Sequence, residues 1–322
     1  MKLELYPLIF EPILKDRIWG GTKLQSVLHK NIPNTTTGES WELSTVEGDV
    51  SRVANGNWKG KSLQDLIELF PEEILGSKVY EQFGKQFPLL FKFLDAKEDL
   101  SIQLHPNDDL AKKRHNSFGK TEMWYVMQAD ENSRLIIGFK EKSSPEEYLK
   151  HLKNKTLVAI LEEIPVKQGD IFFLETGTIH AIGAGIVIAE IQQTSDITYR
   201  IYDFDRKDVN GNTRELHVDL ALEAINYNKV KAEKEYRKDS NVSNLAVECP
   251  YFTTNVIPLD GHIVKVKNSN SFVVYMCTEG NFEIMIDREA YLFQKGDTIL
   301  LPAIVTDYQL IGCANLLEIF IS

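Results

Sequence analysis

The segment at residues 100–105 alternates strictly between apolar and polar residues, which predicts a β-strand. Ser101, Gln103 and His105 then lie on one face of that strand, with the apolar residues on the other. Two side chains with lone pairs, two residues apart on a strand, converge on one point in space. The Gln103–His105 pair therefore indicates part of a metal site, for which zinc is a plausible ion, although two ligands are not enough.

Two further candidate ligands follow along the chain. Glu122 begins a segment rich in aromatic and β-branched residues, which predicts a strand, and His180 lies in a turn just after another strand-like segment. Two neutral imidazoles, one carboxylate and one amide leave a divalent ion with net positive charge, so that it remains a Lewis acid. A single histidine or glutamate in such a setting is more often an ordinary core or surface residue. The prediction therefore rests on the combination.

Hydrophobic periodicity predicts the other elements of the first 230 residues. The predicted strands are residues 89–96, 100–105, 122–128, 134–139, 171–174, 186–192 and 197–204. The predicted helices are residues 62–69 with Ser62 as N-cap, 108–115, 144–163 and 216–227. Helical spacing of Leu157, Ile160, Leu161 and Ile164 supports the helix at 144–163. From residue 251 onward, short strands with turn signals predict an all-β module.

A charged and polar stretch at residues 228–244 marks the predicted domain boundary. It divides the chain into an N-terminal domain, residues 1–240, and a smaller β domain, residues 241–322. The second domain repeats part of the first, because the sequence that starts at Gly169 resembles the one that starts at Gly296. His180 lies eleven residues after the first glycine, whereas an aspartate occupies that place in the second copy. This pattern predicts a duplicated β-barrel whose second copy has no metal site.

Charge and cysteine content narrow the classes of function. The chain has 36 basic and 47 acidic residues, a net charge of −11, which disfavours a nucleic-acid partner. An anionic ligand would have to be held by local cations against this overall field. Three cysteines without C-x-x-C spacing argue for a reducing cytoplasm and against a thiolate zinc site. No apolar run approaches the ~20 residues of a membrane span, and the start does not resemble a signal peptide, so we expect no membrane partner.

Several motifs resemble the type I mannose-6-phosphate isomerases in their short bacterial form, which belong to the cupin superfamily of small β-barrels. The resemblance covers the N-terminal domain and, more loosely, the remainder. Its motifs are residues 88–92, 100–106, 119–122, 175–182 and 190–200. The resemblance implies a mainly β fold with two cupin-like jelly-roll domains, and with a few helices added to the N-terminal one.

The resemblance also implies a set of site residues. Zinc, one ion per chain, would be held by Gln103, His105, Glu122 and His180, the set that spacing already indicated. The substrate cavity would be lined by Lys92, Ser101, Lys120, Glu190 and Arg200. The long eukaryotic form has a lysine near the position of Arg206, which makes Arg206 a candidate for binding phosphate. The helical insertion of that form is absent from this sequence.

The activity implied by the resemblance is the interconversion of mannose 6-phosphate and fructose 6-phosphate. It requires proton transfer between C2 and C1 through an enediol(ate). Arg200, Lys120 and Glu190 are the candidate catalytic residues, and the base remains open between Glu190, Lys120 and a zinc-bound hydroxide. The expected partner is a small-molecule sugar phosphate, and the expected state is a monomer or weak homo-oligomer in the cytoplasm.

Other classes of protein remain alternatives to this isomerase. They are a non-catalytic cupin that binds sugar phosphates, a related metal-dependent isomerase with another substrate, a metal-dependent oxygenase, and a zinc-stabilised structural module. The intact set of Glu190, Lys120 and Arg200 disfavours the non-catalytic protein. Glutamine is an uncommon ligand of structural zinc, and an oxygenase would normally have more histidines and an open iron site.

Overall fold

The computed structural model describes residues 6–207 and 211–322, most of which lie in β-sheets. The strands up to residue 234 are β1 (Leu8–Ile9), β2 (Ile13–Gly21), β3 (Thr37–Leu43), β4 (Thr45–Val46), β5 (Asp49–Val50), β6 (Leu89–Ala96), β7 (Ile102–Leu104), β8 (Glu122–Ala129), β9 (Arg134–Phe139), β10 (Leu161–Pro165), β11 (Ile171–Leu174), β12 (His180–Ile182), β13 (Ile186–Gln193), β14 (Tyr199–Tyr202) and β15 (Glu233–Lys234). The later strands are β16 (Asn244–Glu248), β17 (Thr253–Val266), β18 (Val273–Ile286), β19 (Glu289–Gln294), β20 (Thr298–Leu301) and β21 (Asp307–Phe320). The mainly β fold is therefore confirmed.

Short helices are added to the N-terminal part. They are α1 (Lys23–Ser26), α2 (Leu63–Leu69), α3 (Pro71–Leu75), α4 (Ser77–Phe83), α5 (Asp108–His115), α6 (Pro145–Lys153) and α7 (Val218–Ala224), with 3-10 turns at Gly56–Trp58 and Leu157–Ile160. Ser62 caps α2 as predicted, in a capping box with Asp65. Among the described residues, no helix combines the length and apolar composition that crossing a bilayer requires.

Two sheets face each other in the N-terminal part. A seven-stranded sheet has the order β15-β11-β8-β13-β6-β3-β2, and a five-stranded sheet has the order β10-β9-β12-β7-β14. Apolar side chains of both sheets share one buried cluster, in which Val126 and Ile188 of the first meet Leu135 and Ile137 of the second. Burial of apolar surface between the sheets holds this jelly-roll sandwich together.

The C-terminal strands form a second sandwich that includes the first strand of the chain. The strand order is β1-β20-β18-β21-β17-β16, with β19 paired to β18. Leu8 of β1 pairs with Leu300 of β20. One apolar core runs between the two parts, and the Phe87 and Phe272 rings lie 4.8 Å apart within it. The boundary at residue 240 stays a prediction.

The single helix predicted at residues 144–163 is wrong. Helix α6 ends at Lys153, and Lys155 takes a positive φ of 57° that breaks the helical path. The chain then continues into β10, where Leu161 pairs with Phe139 of β9. The apolar residues in this segment have helical spacing, but Leu157 and Ile160 lie in a 3-10 turn, and Leu161 and Ile164 pair with β9. The predicted helix at 216–227 is present in its central part, as α7.

The sequence repeat corresponds to two turns with the same geometry. Gly169 and Gly296 have φ values of +89° and +91°, which a glycine adopts without strain. The following aspartates accept backbone hydrogen bonds three residues back, from Lys167 N at 2.9 Å and from Gln294 N at 2.8 Å. Each turn then leads into a strand, β11 or β20, which pairs with a long neighbour.

Candidate metal centre and substrate cavity

Two rows of side chains, one from each N-terminal sheet, line a single cavity. In the five-stranded sheet, Gln103 of β7 is paired with His180 of β12 and with Arg200 of β14. In the seven-stranded sheet, Lys92 of β6 is paired with Glu190 of β13. All five residues line the same cavity of about 540 Å³ between the sheets. Strand register thus brings together residues that lie far apart in the sequence.

His105, Glu122 and His180 form a buried cluster that fits a divalent cation. His105 Nε2 lies 3.6 Å from Glu122 Oε2, and His180 Nε2 lies 3.5 Å from Glu122 Oε1. Among the described residues, neither Glu122 Oε1 nor His180 Nε2 has a hydrogen-bond partner, although both atoms are buried. Such groups are costly to bury unpaired, and a cation between them would satisfy both. Imidazole and carboxylate donors suit zinc.

Backbone carbonyls orient both imidazoles for metal binding. His105 Nδ1 lies 2.7 Å from Ile197 O, and His180 Nδ1 lies 2.9 Å from Thr178 O. Because a carbonyl only accepts, Nδ1 carries the proton in each ring and Nε2 keeps a free lone pair. Burial, followed by the charge of Lys120, lowers the pKa of His180 to about 3 and that of His105 well below its usual value. Both imidazoles are therefore neutral, the form that binds a metal.

Lys120 lies beside the cluster and compensates its negative charge. Its Nζ is bonded to Glu122, lies 3.3 Å from His105 Nε2 and lies 3.7 Å from Glu190 Oε1. Burial alone would lower the pKa of Lys120, but the charges of Glu122 and Glu190 outweigh burial and raise it. Burial dominates at Glu122 and raises the pKa of that carboxyl to about 7. Lys120 is therefore a buried ammonium between two carboxyl groups.

Glu190 is held ionised on the seven-stranded sheet, on the strand next to the one that carries Glu122. Lys92 Nζ lies 3.2 Å from Glu190 Oε1, and Trp124 Nε1 donates to Glu190 Oε2 at 2.9 Å. Burial raises the pKa of this carboxyl, but the charges of Lys120 and Lys92 outweigh burial and bring it to about 2. The Trp124 ring also meets the His180 ring edge to face at 5.3 Å. The carboxylate wall and the metal cluster are thus in contact through Trp124 and Lys120.

Side chains help to hold the two neighbours of Lys120. Asp108 Oδ1 accepts from Gly119 N at 2.8 Å, and Gln193 Oε1 accepts from Thr121 N at 2.9 Å. Gln193 Nε2 also donates to Asp108 Oδ1, at 3.0 Å. The position of Lys120 therefore depends on this small hydrogen-bonded group.

The C-terminal part reaches the same group. Tyr251, in the turn between β16 and β17, donates its hydroxyl hydrogen to Asp108 Oδ2 at 2.6 Å. A residue of the second sandwich thus touches the carboxylate that holds the segment around the catalytic candidates of the first.

Arginines stand at the end of the cavity. Arg200 Nε donates to Ser101 Oγ at 3.2 Å. Arg214 lines the same cavity and is held by Asp203, with Nε 2.7 Å from Oδ2 and Nη2 2.5 Å from Oδ1. Arg206 also bonds to Asp203, but its guanidinium turns to the backbone carbonyl of Asp99 and lines a different surface pocket. The structure brings the predicted residues together except for Arg206.

Sequence reasoning missed several cavity residues, among them Arg214 and Trp41. Arg214 lies in a polar loop without periodicity, and only the fold places it beside Arg200. Trp41 lines the wall next to Lys92, whose Nζ lies 4.8 Å from the ring centre, and its Nε1 donates to Glu39 at 2.7 Å. Trp41 could have been found only from the sheet, in which it pairs with Lys92 of β6.

Comparisons with known proteins agree with this geometry. A family model described as phosphomannose isomerase type I, catalytic domain, matches residues 8–137, and one described as mannose-6-phosphate isomerase, cupin domain, matches residues 242–321. The mannose-6-phosphate isomerase ManA of Bacillus subtilis (strain 168) is 37% identical over 314 residues, which cover 96% of this chain and 97% of the relative. The mannose-6-phosphate isomerase of Streptococcus mutans is 37% identical over 308 residues, which cover 95% of each. A crystal structure of the mannose 6-phosphate isomerase from Bacillus subtilis superimposes with a TM-score of 0.89 at 34% identity, covering 97% of this chain and 99% of that one.

Proposed function

The chain belongs to the type I mannose-6-phosphate isomerases, and on that premise we propose that it interconverts mannose 6-phosphate and fructose 6-phosphate as a zinc enzyme. The observation that carries the proposal is a pair of buried atoms, Glu122 Oε1 and His180 Nε2, that have no hydrogen-bond partner among the described residues. They lie at a cavity whose lining includes Lys92, Lys120, Arg200 and Arg214. A cation there would complete the hydrogen-bonding and charge balance of the centre.

Four residues would hold the ion, one per chain. They are His105, Glu122 and His180, with Gln103 as the fourth because it is paired with His180 across the strands and lines the cavity. When bound, zinc supplies positive charge that stabilises negative charge developing on the substrate oxygens. The neutral imidazoles and the neutral amide leave that positive charge largely uncompensated.

The chain's own residues would move the protons. Removal of the C2 proton of the aldose gives an enediolate, and a proton returned to C1, with one moved from O2 to O1, gives the ketose. Glu190 is ionised and therefore the proposed acceptor, and Lys120 is protonated and donates a hydrogen bond to the charged oxygens. Their separation of 3.7 Å lets both groups address adjacent carbons and oxygens of one substrate.

Arginines would hold the phosphate in a chain of net charge −11. Arg200 and Arg214 line the cavity end, and a guanidinium matches phosphate geometry with paired hydrogen bonds. Lys92 and Ser101 would contact the sugar. Arg206 lines a different pocket, whereas Arg214 lines the cavity, so Arg214 takes the phosphate role in this proposal. The cytoplasmic location and the monomeric or weakly oligomeric state stay predictions.

A coupled assay of fructose 6-phosphate formation from mannose 6-phosphate tests the proposal. The protein is assayed as prepared, after chelation, and after zinc is added back, with magnesium as the control ion. We expect activity to disappear on chelation and to return with zinc alone. A folded, zinc-loaded sample that binds mannose 6-phosphate without turnover would instead be the non-catalytic binding protein, and the isomerase proposal would be rejected.

A further inference from the structure

The two sandwiches have equivalent strands around the repeated turn. In the N-terminal one, Leu174 at the end of β11 pairs with Glu122 of β8. In the C-terminal one, Leu301 at the end of β20 pairs with Val273 of β18. Each leucine lies five residues after the glycine of its turn. Val273 therefore occupies the place of the metal-ligating carboxylate.

A buried glutamate recurs at the equivalent place on the next strand. Glu190 pairs across the sheet with Trp124 and accepts its ring N–H at 2.9 Å. Glu318 of β21 pairs with Tyr275 of β18 and accepts its hydroxyl hydrogen at 2.9 Å. Glu318 is only 4% exposed. The second sandwich thus keeps the carboxylate wall of the first and lacks its metal position.

Glu318 lines a cavity of about 550 Å³, which matches the catalytic cavity in size. The wall is polar and carries amide, hydroxyl and ammonium groups. The polar lining residues used below are Lys78, Asn255, Lys265, Lys267, Tyr308 and Glu318. A cavity of this volume accommodates a small ligand.

The charges of this second cavity favour an anion. Glu318 is compensated by Lys265, whose Nζ lies 2.5 Å from Oε1. Lys267 donates to three backbone carbonyls, and no carboxylate of the described residues lies within ion-pair distance of it. The ammonium of Lys78 has no hydrogen bond or ion pair within residues 6–207 and 211–322. Two of the three amines therefore have no countercharge.

We propose that the C-terminal cavity is a second, metal-free binding site for a sugar phosphate. The sugar hydroxyls would donate to Asn255 and Tyr308, whose oxygens can still accept while their own hydrogens bond to Glu318 and Tyr275. The phosphate would meet Lys78 and Lys265, which has one N–H beyond its bonds to Glu318 and Ser243, since lysine binds phosphate as a point charge. Lys267 would add the attraction of its unpaired charge. The site differs from the proposed catalytic one in its cations, which are lysines, and in the absence of imidazoles from its described lining.

Equilibrium dialysis of the zinc-loaded full chain against radiolabelled fructose 6-phosphate tests this site by counting bound molecules. We expect two per chain. Lys78→Met should weaken one of them about 10-fold, because it removes a hydrogen bond between charged groups. Lys85→Met is the matched control, since Lys85 is also an exposed lysine of this helical region and pairs with Glu68 away from the cavity. It should change neither binding event.

The variants also separate this proposal from the catalytic one. Arg200→Ala should abolish binding of fructose 6-phosphate in the catalytic cavity and leave binding in the C-terminal cavity unchanged. A wild-type protein that binds in the C-terminal cavity but shows no turnover would contradict only the proposed function. One bound molecule per chain, or two that both survive Lys78→Met and Lys265→Met unchanged, would overturn the second site. Inorganic phosphate that competes as well as fructose 6-phosphate would overturn the sugar-phosphate assignment.

Discussion

The two sandwiches of this protein share a turn, a buried glutamate and a cavity, but among the described residues only the first has a cluster of side chains that could hold a metal ion. The same register position holds Glu122 in one and Val273 in the other. Eleven residues after the turn glycine, the first has the buried His180 and the second has the exposed Asp307. A small number of side chains at fixed strand positions therefore decides the chemistry, while the backbone is common to both.

The two cavities also treat buried lysines differently. In the first, Lys92 and Lys120 face the carboxylate of Glu190 at 3.2 and 3.7 Å. In the second, Lys267 is surrounded by carbonyls, and burial lowers its pKa to about 8. Paired charges make the first cavity a stable polar site for chemistry. The unpaired ammonium makes the second one receptive to an added anion.

Glu122→Val gives the first sandwich the residue that the second has at the equivalent position, Val273. We expect the largest effect from this variant. Removing a residue that only hydrogen-bonds a metal ligand typically lowers metal affinity by about 10- to 100-fold. Loss of the charged ligand itself should therefore lower zinc affinity by at least roughly 100-fold. Competition with a chromophoric chelator measures this affinity. Val273→Ala is the control at the equivalent position, and zinc affinity equal to wild type in Glu122→Val would refute the assignment.

Glu190→Gln tests whether the shared glutamate does chemistry in the first sandwich. The amide keeps the size of the side chain and one accepting oxygen but cannot take the C2 proton, so kcat should fall by roughly 10²–10⁴-fold with little change in KM. Exchange of solvent tritium into the substrate should fall in parallel. Glu233→Gln, an exposed residue at the edge of the same sheet, should leave both unchanged. A kcat within about 3-fold of wild type in Glu190→Gln would remove Glu190 as the proton acceptor.

Arg214→Gln tests the arginines that distinguish the first cavity from the lysine-lined second. We expect KM for mannose 6-phosphate to rise about 10-fold or more, because a charged hydrogen bond to phosphate is lost. Arg206→Gln is the matched control, since both arginines bond to the same Asp203 carboxylate. A larger KM increase in Arg206→Gln than in Arg214→Gln would return the phosphate role to Arg206.

Tyr251→Phe asks how far the second sandwich supports the first. Removing the hydroxyl frees Asp108 Oδ2, and the looser segment around Lys120 should lower kcat by roughly 3- to 10-fold. Tyr236→Phe removes a similar hydroxyl that donates to Gly169 O at 2.8 Å, away from the centre. Tyr236→Phe should lower the free energy of unfolding and leave kcat unchanged. Equal loss of kcat in both variants would mean that Tyr251 acts through general stability.

Lys267 provides a pH-dependent signature of the second sandwich. Its pKa is about 8 in the fold against 10.5 ordinarily, so the fold binds fewer protons than the unfolded chain between these values. The destabilisation is complete below pH 8 and is relieved as the pH rises towards 10.5. The free energies of unfolding of wild type and Lys267→Met, measured in urea, should therefore differ most below pH 8. They should approach each other as the pH rises to 10.5. Parallel pH profiles would contradict the lowered pKa.

The local pattern of apolar and polar residues was sufficient to predict the elements whose hydrophobic periodicity matches their burial in the structure. The predicted strands at 89–96, 134–139 and 171–174 and the helix at 108–115 match the structure to the residue. The segment 144–163 failed because pairing with β9 outweighed a helical spacing of its apolar residues. Distant pairing of this kind leaves no mark in a short window of sequence.

For the site as well, residues that share a strand could be predicted from the sequence, whereas residues brought together by the fold could not. Gln103 and His105 share a strand face, so their spacing alone indicated a site. Arg214 and Arg206 could be separated only by the fold, because both lie near one aspartate and only one turns to the cavity. Side-chain direction in irregular segments depends on contacts that sequence periodicity does not encode.

The pairing of β1 with β20 has a consequence for the order in which the protein forms. Leu8 pairs with Leu300, which lies 292 residues later in the sequence, so β1 is synthesised long before its partner β20. The second sandwich cannot complete its sheet until both strands have been made, and closing so long a loop is entropically unfavourable and slow. Until then, β20 has an open edge of unpaired N–H and C=O groups, which invites pairing with other chains. Completion of the sheet by the chain's own first strand is thus a late step that protects the finished enzyme from aggregation.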